Sequence, residues 1–186
     1  MDTDLQLTPP FWVTSDSHFC HKNISVYQNR PPNVDELMVE RWNAVVPADG
    51  TVLHLGDLHL GKKEDIPRFT DRLNGKRKLL VRGNHDRTGP KGREWYAELG
   101  FTVMDGPLTW AYGDWMVTFS HVPDLRFIQY PRHLNVHGHV HRASKSDQRF
   151  VNVSVEVTNY KPVEISTLLD IRIAALGQAQ SRRRVR

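Results

Sequence analysis

The sequence predicts a layered α/β fold, parallel in its first half and more antiparallel or mixed in its second. Three observations carry that expectation. Short apolar, β-rich runs recur along the 186 residues. Helical patterns fill the gaps between the early runs. Five runs also end in a polar or glycine-rich motif. These are Asp16-Ser17-His18, Gly56-Asp57, Gly83-Asn84-His85-Asp86, Ser120-His121 and Gly138-His139-Val140-His141.

The expected strands are Phe11–Thr14, Thr51–Leu55, Lys78–Arg82, Trp115–Phe119, Leu134–His137 and Phe150–Val157. Asn33 and Glu36 have capping-box spacing and would open a helix with Leu37, Met38, Arg41, Trp42 and Val45 on one face. Ile66, Phe69 and Leu73 mark a helix over Asp65–Leu73, and Trp95, Tyr96 and Leu99 mark another over Arg93–Leu99. Tyr112-Gly113-Asp114-Trp115 reads as a hairpin joining Leu108–Tyr112 to Trp115–Ser120. A last helix is expected over Ser166–Leu176, capped by Ser166. Sheets of this class gather ligands beyond the carboxyl ends of their strands, which is where the five motifs fall.

There is no internal repeat and no linker, so a single domain is expected over 1–180. Of 25 Lys and Arg, four crowd into the last five residues (Arg182, Arg183, Arg184 and Arg186). Without them 21 basic residues face 21 acidic ones, so the body is neutral. The stretch 181–186 therefore reads as a basic, disordered tail, and nucleic acid is not an expected partner. No apolar run reaches the roughly 18 residues of a membrane helix. Met1–Pro10 carries two Asp and no basic residue, unlike a signal peptide. The single Cys20 permits no internal disulfide and fits a reducing cytoplasm, the host's if the chain is phage-encoded.

The five motifs supply three carboxylates, one amide and five imidazoles. That set is enough to hold two transition metals about 3.5–4 Å apart with one His left for proton transfer. Residues two apart on extended backbone point the same way, so Asp16 with His18, and His139 with His141, can converge. Asp57 has two oxygens and can bridge. Such a mixed oxygen and nitrogen set suits Mn²⁺, Fe or Zn²⁺ better than Ca²⁺ or Mg²⁺. Each motif is weak alone; the ordered set is strong.

The set resembles the calcineurin-like metallophosphoesterase superfamily, and in particular its small uncapped bacterial and phage-type members. Thr14-Ser15-Asp16-Ser17-His18-Phe19-Cys20-His21-Lys22-Asn23-Ile24 and Asn159-Tyr160-Lys161-Pro162-Val163 are similar to that subgroup. The resemblance implies a four-layer fold, a two-sheet mixed β-sandwich flanked by helices. It implies one metal on Asp16, His18, Asp57 and His141, and another on Asp57, Asn84, His121 and His139. His85 would be the catalytic acid, oriented by Asp86. Mn²⁺ is the first expectation for the pair, with Fe or Zn²⁺ behind it.

The implied activity is hydrolysis of small phosphodiesters or nucleotides. Cyclic nucleotides come first, 2′,3′-cyclic ahead of 3′,5′-cyclic. The alternatives are a phosphomonoesterase or protein phosphatase, and a non-catalytic scaffold of the same fold. Against a protein phosphatase, Gly56-Asp57 is followed by Leu58-His59-Leu60-Gly61 and lacks the Asp-Arg-Gly of those enzymes. His21, Asn23 and Arg82 are candidate substrate contacts, and Arg30 is a weaker candidate phosphate clamp. His59 could line the rim, whereas His54 and His137 read as structural and His133 as an ordinary side chain. Trp42, Trp95, Trp110 and Trp115 fit core positions better than base-stacking ones.

Overall fold

The computed structural model describes residues 7–127 and 129–184, with side chains through Ala179. Two mixed sheets form its centre, with helices packed on the first. That first sheet has the order β4-β3-β2-β1-β9. Its strands are β1 (Trp12–Thr14), β2 (Thr51–His54), β3 (Arg77–Val81), β4 (Phe101–Met104) and β9 (Val163–Glu164). β1 to β4 pair in parallel and β9 joins β1 antiparallel. The second sheet has the order β5-β6-β7-β8, from β5 (Leu108–Tyr112), β6 (Trp115–Ser120), β7 (His133–His137) and β8 (Phe150–Asn152). Only β5–β6, the expected hairpin, is antiparallel there. The second half is thus mixed, with parallel pairing dominant.

Burial on the two faces of the first sheet explains both layers. Val52, Leu80, Phe101 and Val103 face the helices, where Met38, Trp42, Phe69, Trp95 and Tyr96 complete one core. Val13, Leu53, Leu55, Leu79 and Val81 face the second sheet and meet Val117, Phe119, Leu134, Val136 and Val151. Alternation along each strand separates these sets. Phe11 lies edge-on to Trp110 and Phe119, with centroids 5.3 and 6.1 Å away, and closes the space between the sheets. Trp42 and Trp95 are core residues, while Trp110 and Trp115 pack half-buried on the inter-sheet core.

Several boundaries differ from the expectation. The short helix α1 (Ile24–Gln28) and strand β4 carry patterns too short to register. The helix α2 (Val34–Asn43) forms without the capping box: Asn33 makes no side-chain cap, and Glu36 pairs with Arg68 and Arg72 instead. The next two helices are α3 (Pro67–Thr70), shorter than expected, and α4 (Gly89–Glu98), which starts earlier on Gly89 and Pro90. The run Phe150–Val157 is a ladder strand only to Asn152. Beyond it the chain bends toward the site, keeping one bridge from Ser154 to Ser15.

The last helix α5 (Ile165–Arg184) is longer than expected and takes in 181–184 of the tail expected to be disordered; 185 and 186 lie outside the described residues. Its cap is Glu164, not Ser166. The carboxylate accepts the backbone N–H groups of Ser166 (2.9 Å) and Thr167 (2.8 Å). Burial pushes the Glu164 carboxyl up, but those hydrogen bonds outweigh it and hold it below its ordinary 4.5.

A depressed carboxylate contributes stability above its unfolded pKa and loses it as pH falls through the folded value. Glu164→Ala should therefore cost about 1 kcal/mol at pH 7. The gap to wild type should close below about pH 4. Urea unfolding of both proteins at pH 7 and pH 3 checks this, and an equal gap at both pH values would contradict it.

Candidate metal centre

All five motifs leave the carboxyl ends of strands and converge at one end of the two sheets. Backbone hydrogen bonds sew the loops together. The Asp16 N–H donates to Gly56 O (3.0 Å), His18 N–H to Asp57 O (3.0 Å), and Gly138 N–H to His121 O (2.9 Å). Glycine is required where the loops nearly touch. A Cβ on Gly83 would run into Asp57, and one on Gly138 into Ser15 and Asp16.

The backbone is left-handed at five expected ligands: Asp16 (φ 61°), His18 (50°), Asp57 (55°), His139 (69°) and His141 (48°). Such conformations cost about 1–3 kcal/mol each for a side-chain-bearing residue and persist where the surroundings enforce them. Here each turn bends a side chain back toward a common centre.

Two groups of ligand atoms result. Asp16, His18 and His141 form one, and Asp57, His121 and His139 the other, the atoms of each lying within 4.8 Å of one another. Asn84 belongs with the second: its Oδ1 is 3.0 Å from both His121 Nε2 and His139 Nδ1. Asp57 stands between the groups. Its Oδ2 lies 3.4 Å from His121 Nε2 and 3.6 Å from His18 Nε2, while its Oδ1 accepts the His85 N–H at 2.9 Å.

The donor chemistry fits cations. Asp16 Oδ2 accepts from Ser154 Oγ and the His139 N–H, both at 2.9 Å, yet its buried Oδ1 has no hydrogen-bond partner. His18 is likewise buried with neither ring nitrogen bonded. Buried polar atoms left bare cost free energy unless a ligand meets them. His121 gives its Nδ1 proton to Leu55 O (2.8 Å), so a neutral ring turns the Nε2 lone pair toward Asp57 and Asn84. Acceptors facing acceptors call for a cation or a proton.

The titration tendencies agree. Burial lowers His121, but the Asp57 carboxylate outweighs it and raises the imidazole overall. For His18, burial wins over the attraction of Asp57, and the ring is pushed down to about 3 and stays neutral. Burial raises Asp16 against the pull of His121.

The structure revises several expected roles. Asp86 does not orient His85. Its buried carboxylate accepts the N–H groups of Asp57 (2.7 Å), Leu58 (3.1 Å) and Gly83 (2.7 Å), and the Tyr96 hydroxyl (2.9 Å). It therefore braces the Asp57 loop. Arg30 is no phosphate clamp: it is buried, donates to the carbonyls of Asp16 and Ser17, and pairs with Glu156. His59 lies beneath the rim against Trp95 and the Tyr96 hydroxyl. His54 is structural, as expected. The Gly56 N–H donates to its Nδ1, which leaves the Nε2 proton for Ser17 Oγ at 2.8 Å. His133 bonds Thr118 Oγ1 and stacks on Phe127.

His85 is exposed, its ring 5.5 Å from that of His18. His21 sits on the same side, 5.9 Å from His18, with exposed Asn23 next to it. Arg82 lies on the other side, in the wall of an open cleft of about 700 Å³ that borders Asn84 and His121. Its guanidinium is 3.7 Å from Asp105.

Sequence reasoning missed Glu156 and Ser154. Glu156 Oε1 accepts the His141 Nδ1–H at 2.8 Å and joins it to Arg30. This fixes the tautomer and turns Nε2 toward the centre. The signal was present: a Ser and a Glu two apart inside the apolar run Val153–Val157 share one face, and a carboxylate there needs a partner.

Residues 9–172 match the sequence profile of the calcineurin-like phosphoesterases. The chain belongs to that family, a class of metal-dependent phosphoric ester hydrolases. Among curated relatives, an uncharacterised protein of Methanocaldococcus jannaschii is 33% identical over 174 residues, covering 86% of this chain and 89% of its own. The gene 66 protein of Mycobacterium phage L5 is 33% identical over 135 residues, covering 69% of this chain and 58% of its own. Among solved structures, a protein of unknown function from Aquifex aeolicus superposes with a TM-score of 0.68 at 25% identity, covering 87% of this chain and 98% of its own.

Glu156→Gln would leave the Arg30 guanidinium buried without a counter-charge. It should cost about 3 kcal/mol or more in urea unfolding at pH 7. It should also weaken metal binding about 10- to 100-fold in calorimetric titration. Wild-type values in both would contradict the brace.

Proposed function

We propose that this protein is a dinuclear-metal-dependent phosphodiesterase of small substrates. The observation that carries the proposal is the Asp57 carboxylate, standing within reach of both ligand groups. Asp16, His18, Asp57 and His141 would hold one ion, and Asp57, Asn84, His121 and His139 the other. Mn²⁺ is the first choice for both sites, with Fe or Zn²⁺ as alternatives. Bound there, the ions would supply Lewis acidity, lowering the pKa of a water and neutralising phosphate charge.

The chain's own residues do the rest. Asp57 is fixed by Asp86 through its backbone and by the His85 N–H through Oδ1, so its position is set before substrate arrives. His85 stands at the rim with its ring free of Asp86, where it donates a proton to the departing oxygen. His21 and Asn23 flank the phosphate on that side, and Arg82 faces it from the cleft.

The charge balance favours a diester over a monoester. A guanidinium free for bidentate pairing would favour a monoester dianion. Arg30 is committed to Glu156 and Arg82 lies near Asp105, which suits a singly charged phosphate. Cyclic nucleotides are the preferred substrates, 2′,3′-cyclic ahead of 3′,5′-cyclic. The strained phosphate of a 2′,3′-cyclic nucleotide needs little binding surface, and the site is open. A cytoplasm is the proposed setting, the host's for a phage protein. No helix of the described residues is long and apolar enough to cross a membrane.

The test is a parallel assay of the metal-loaded protein on bis-p-nitrophenyl phosphate, p-nitrophenyl phosphate and both cyclic nucleotide classes, with Mn²⁺, Zn²⁺ and Mg²⁺. Diesters should be turned over faster; a preference for the monoester would overturn the diesterase reading. His85→Ala should keep its full metal content by elemental analysis while losing about a hundredfold or more in turnover. Undiminished turnover would remove His85 from the reaction.

A further inference from the structure

We infer that Tyr27 is a stacking platform for the base of a nucleotide substrate, an inference that rests on the phosphoesterase reading above. Tyr27 is 66% exposed and its neighbour Val26 79% exposed, on a five-residue helix, α1, that carries no charge. Together they form an exposed patch with a ring at its centre, next to the catalytic rim.

The ring is also connected to the site. Its centroid is 5.8 Å from that of His21, His21 is 5.9 Å from His18, and His18 is 5.5 Å from His85. Four rings thus run from the proton donor to Tyr27 on α1. Because His85 protonates the departing oxygen, that oxygen and the sugar it belongs to lie on this side. The base follows outward, toward Tyr27.

Among the described residues, the opposite side offers no comparable surface. The cleft beside Asn84 and His121 has, among the described residues, no aromatic ring in its lining except that of His121. The other exposed tyrosine, Tyr130, lines a different cavity with Phe127 and His133.

The α1 helix is held in place by the site itself. Arg142, next to His141, donates to Gln28 O at 3.3 Å. Arg30, two residues beyond α1, donates to the carbonyls of Asp16 and Ser17. Tyr27 is therefore presented on backbone already tied to both loops of the first ligand group, which lowers the ordering cost of stacking. Base–aromatic stacking tolerates every base, so this contact selects nucleotides as a class over simple phosphodiesters.

The experiment compares 3′-AMP and inorganic phosphate as ligands of the Mn²⁺-loaded protein by isothermal titration. Wild type, Tyr27→Ala and Tyr27→Phe are measured. Tyr27→Ala should weaken 3′-AMP about tenfold with phosphate affinity unchanged, and Tyr27→Phe should restore the wild-type value. Phosphate binding with unchanged 3′-AMP affinity in Tyr27→Ala would overturn this inference alone. Phosphate failing to bind wild type would overturn the phosphoesterase reading and this inference with it.

Discussion

The Asp57 carboxylate is the constraint around which this molecule is arranged. It comes from the loop after β2, at the middle of the first sheet, and it stands between ligands delivered by both sheets. Holding a charged group there, almost fully buried, requires every neighbour to be placed. Asp86 ties down its N–H, the His85 N–H occupies one oxygen, and two histidines face the other. Burial would raise the Asp57 carboxyl, yet the hydrogen bond and charge of a protonated His121, with the His85 backbone N–H, outweigh it and hold it down, at about 2.

Much else follows from keeping that oxygen in reach of both groups. The loops must approach more closely than side chains allow, hence Gly83 and Gly138. They must turn sharply, hence the left-handed backbone at Asp16, His18, Asp57, His139 and His141. The strain is offset by two cores, one between the sheets and one beneath α2, α3 and α4. Two buried carboxylates act as braces: Asp86 under the second ligand group, and Glu156, with Arg30, under the first. The fold's stability and the site's geometry are therefore bought with the same contacts.

The layered fold and the convergence of the five motifs were legible in the sequence. The strands that lead into the motifs, β1, β2, β3, β6 and β7, are apolar runs that stop at polar residues, and such runs read directly. Elements such as α1 and β9 were not legible, because five and two residues carry too little period. The ligand set was readable as residue types in order, but its bracing was not. Asp86 follows His85 in the chain, and adjacency suggested a pair; the turn at Gly83 sends its carboxylate to the backbone of Asp57, Leu58 and Gly83 instead. Arg30 and Glu156 are 126 residues apart, and only the folded chain brings them together. Caps behaved likewise: Ser166 and Asn33 had the right spacing, yet Glu164 was better placed for α5 and no cap formed at α2.

One measurement addresses the central claim, that a single carboxylate joins two metal sites. Metal-free protein is titrated with Mn²⁺ and followed by electron paramagnetic resonance. Two equivalents should bind and give an exchange-coupled spectrum, and Asp57→Ala should abolish the coupling. Binding of a single equivalent, or two uncoupled ions in the wild-type protein, would contradict the account.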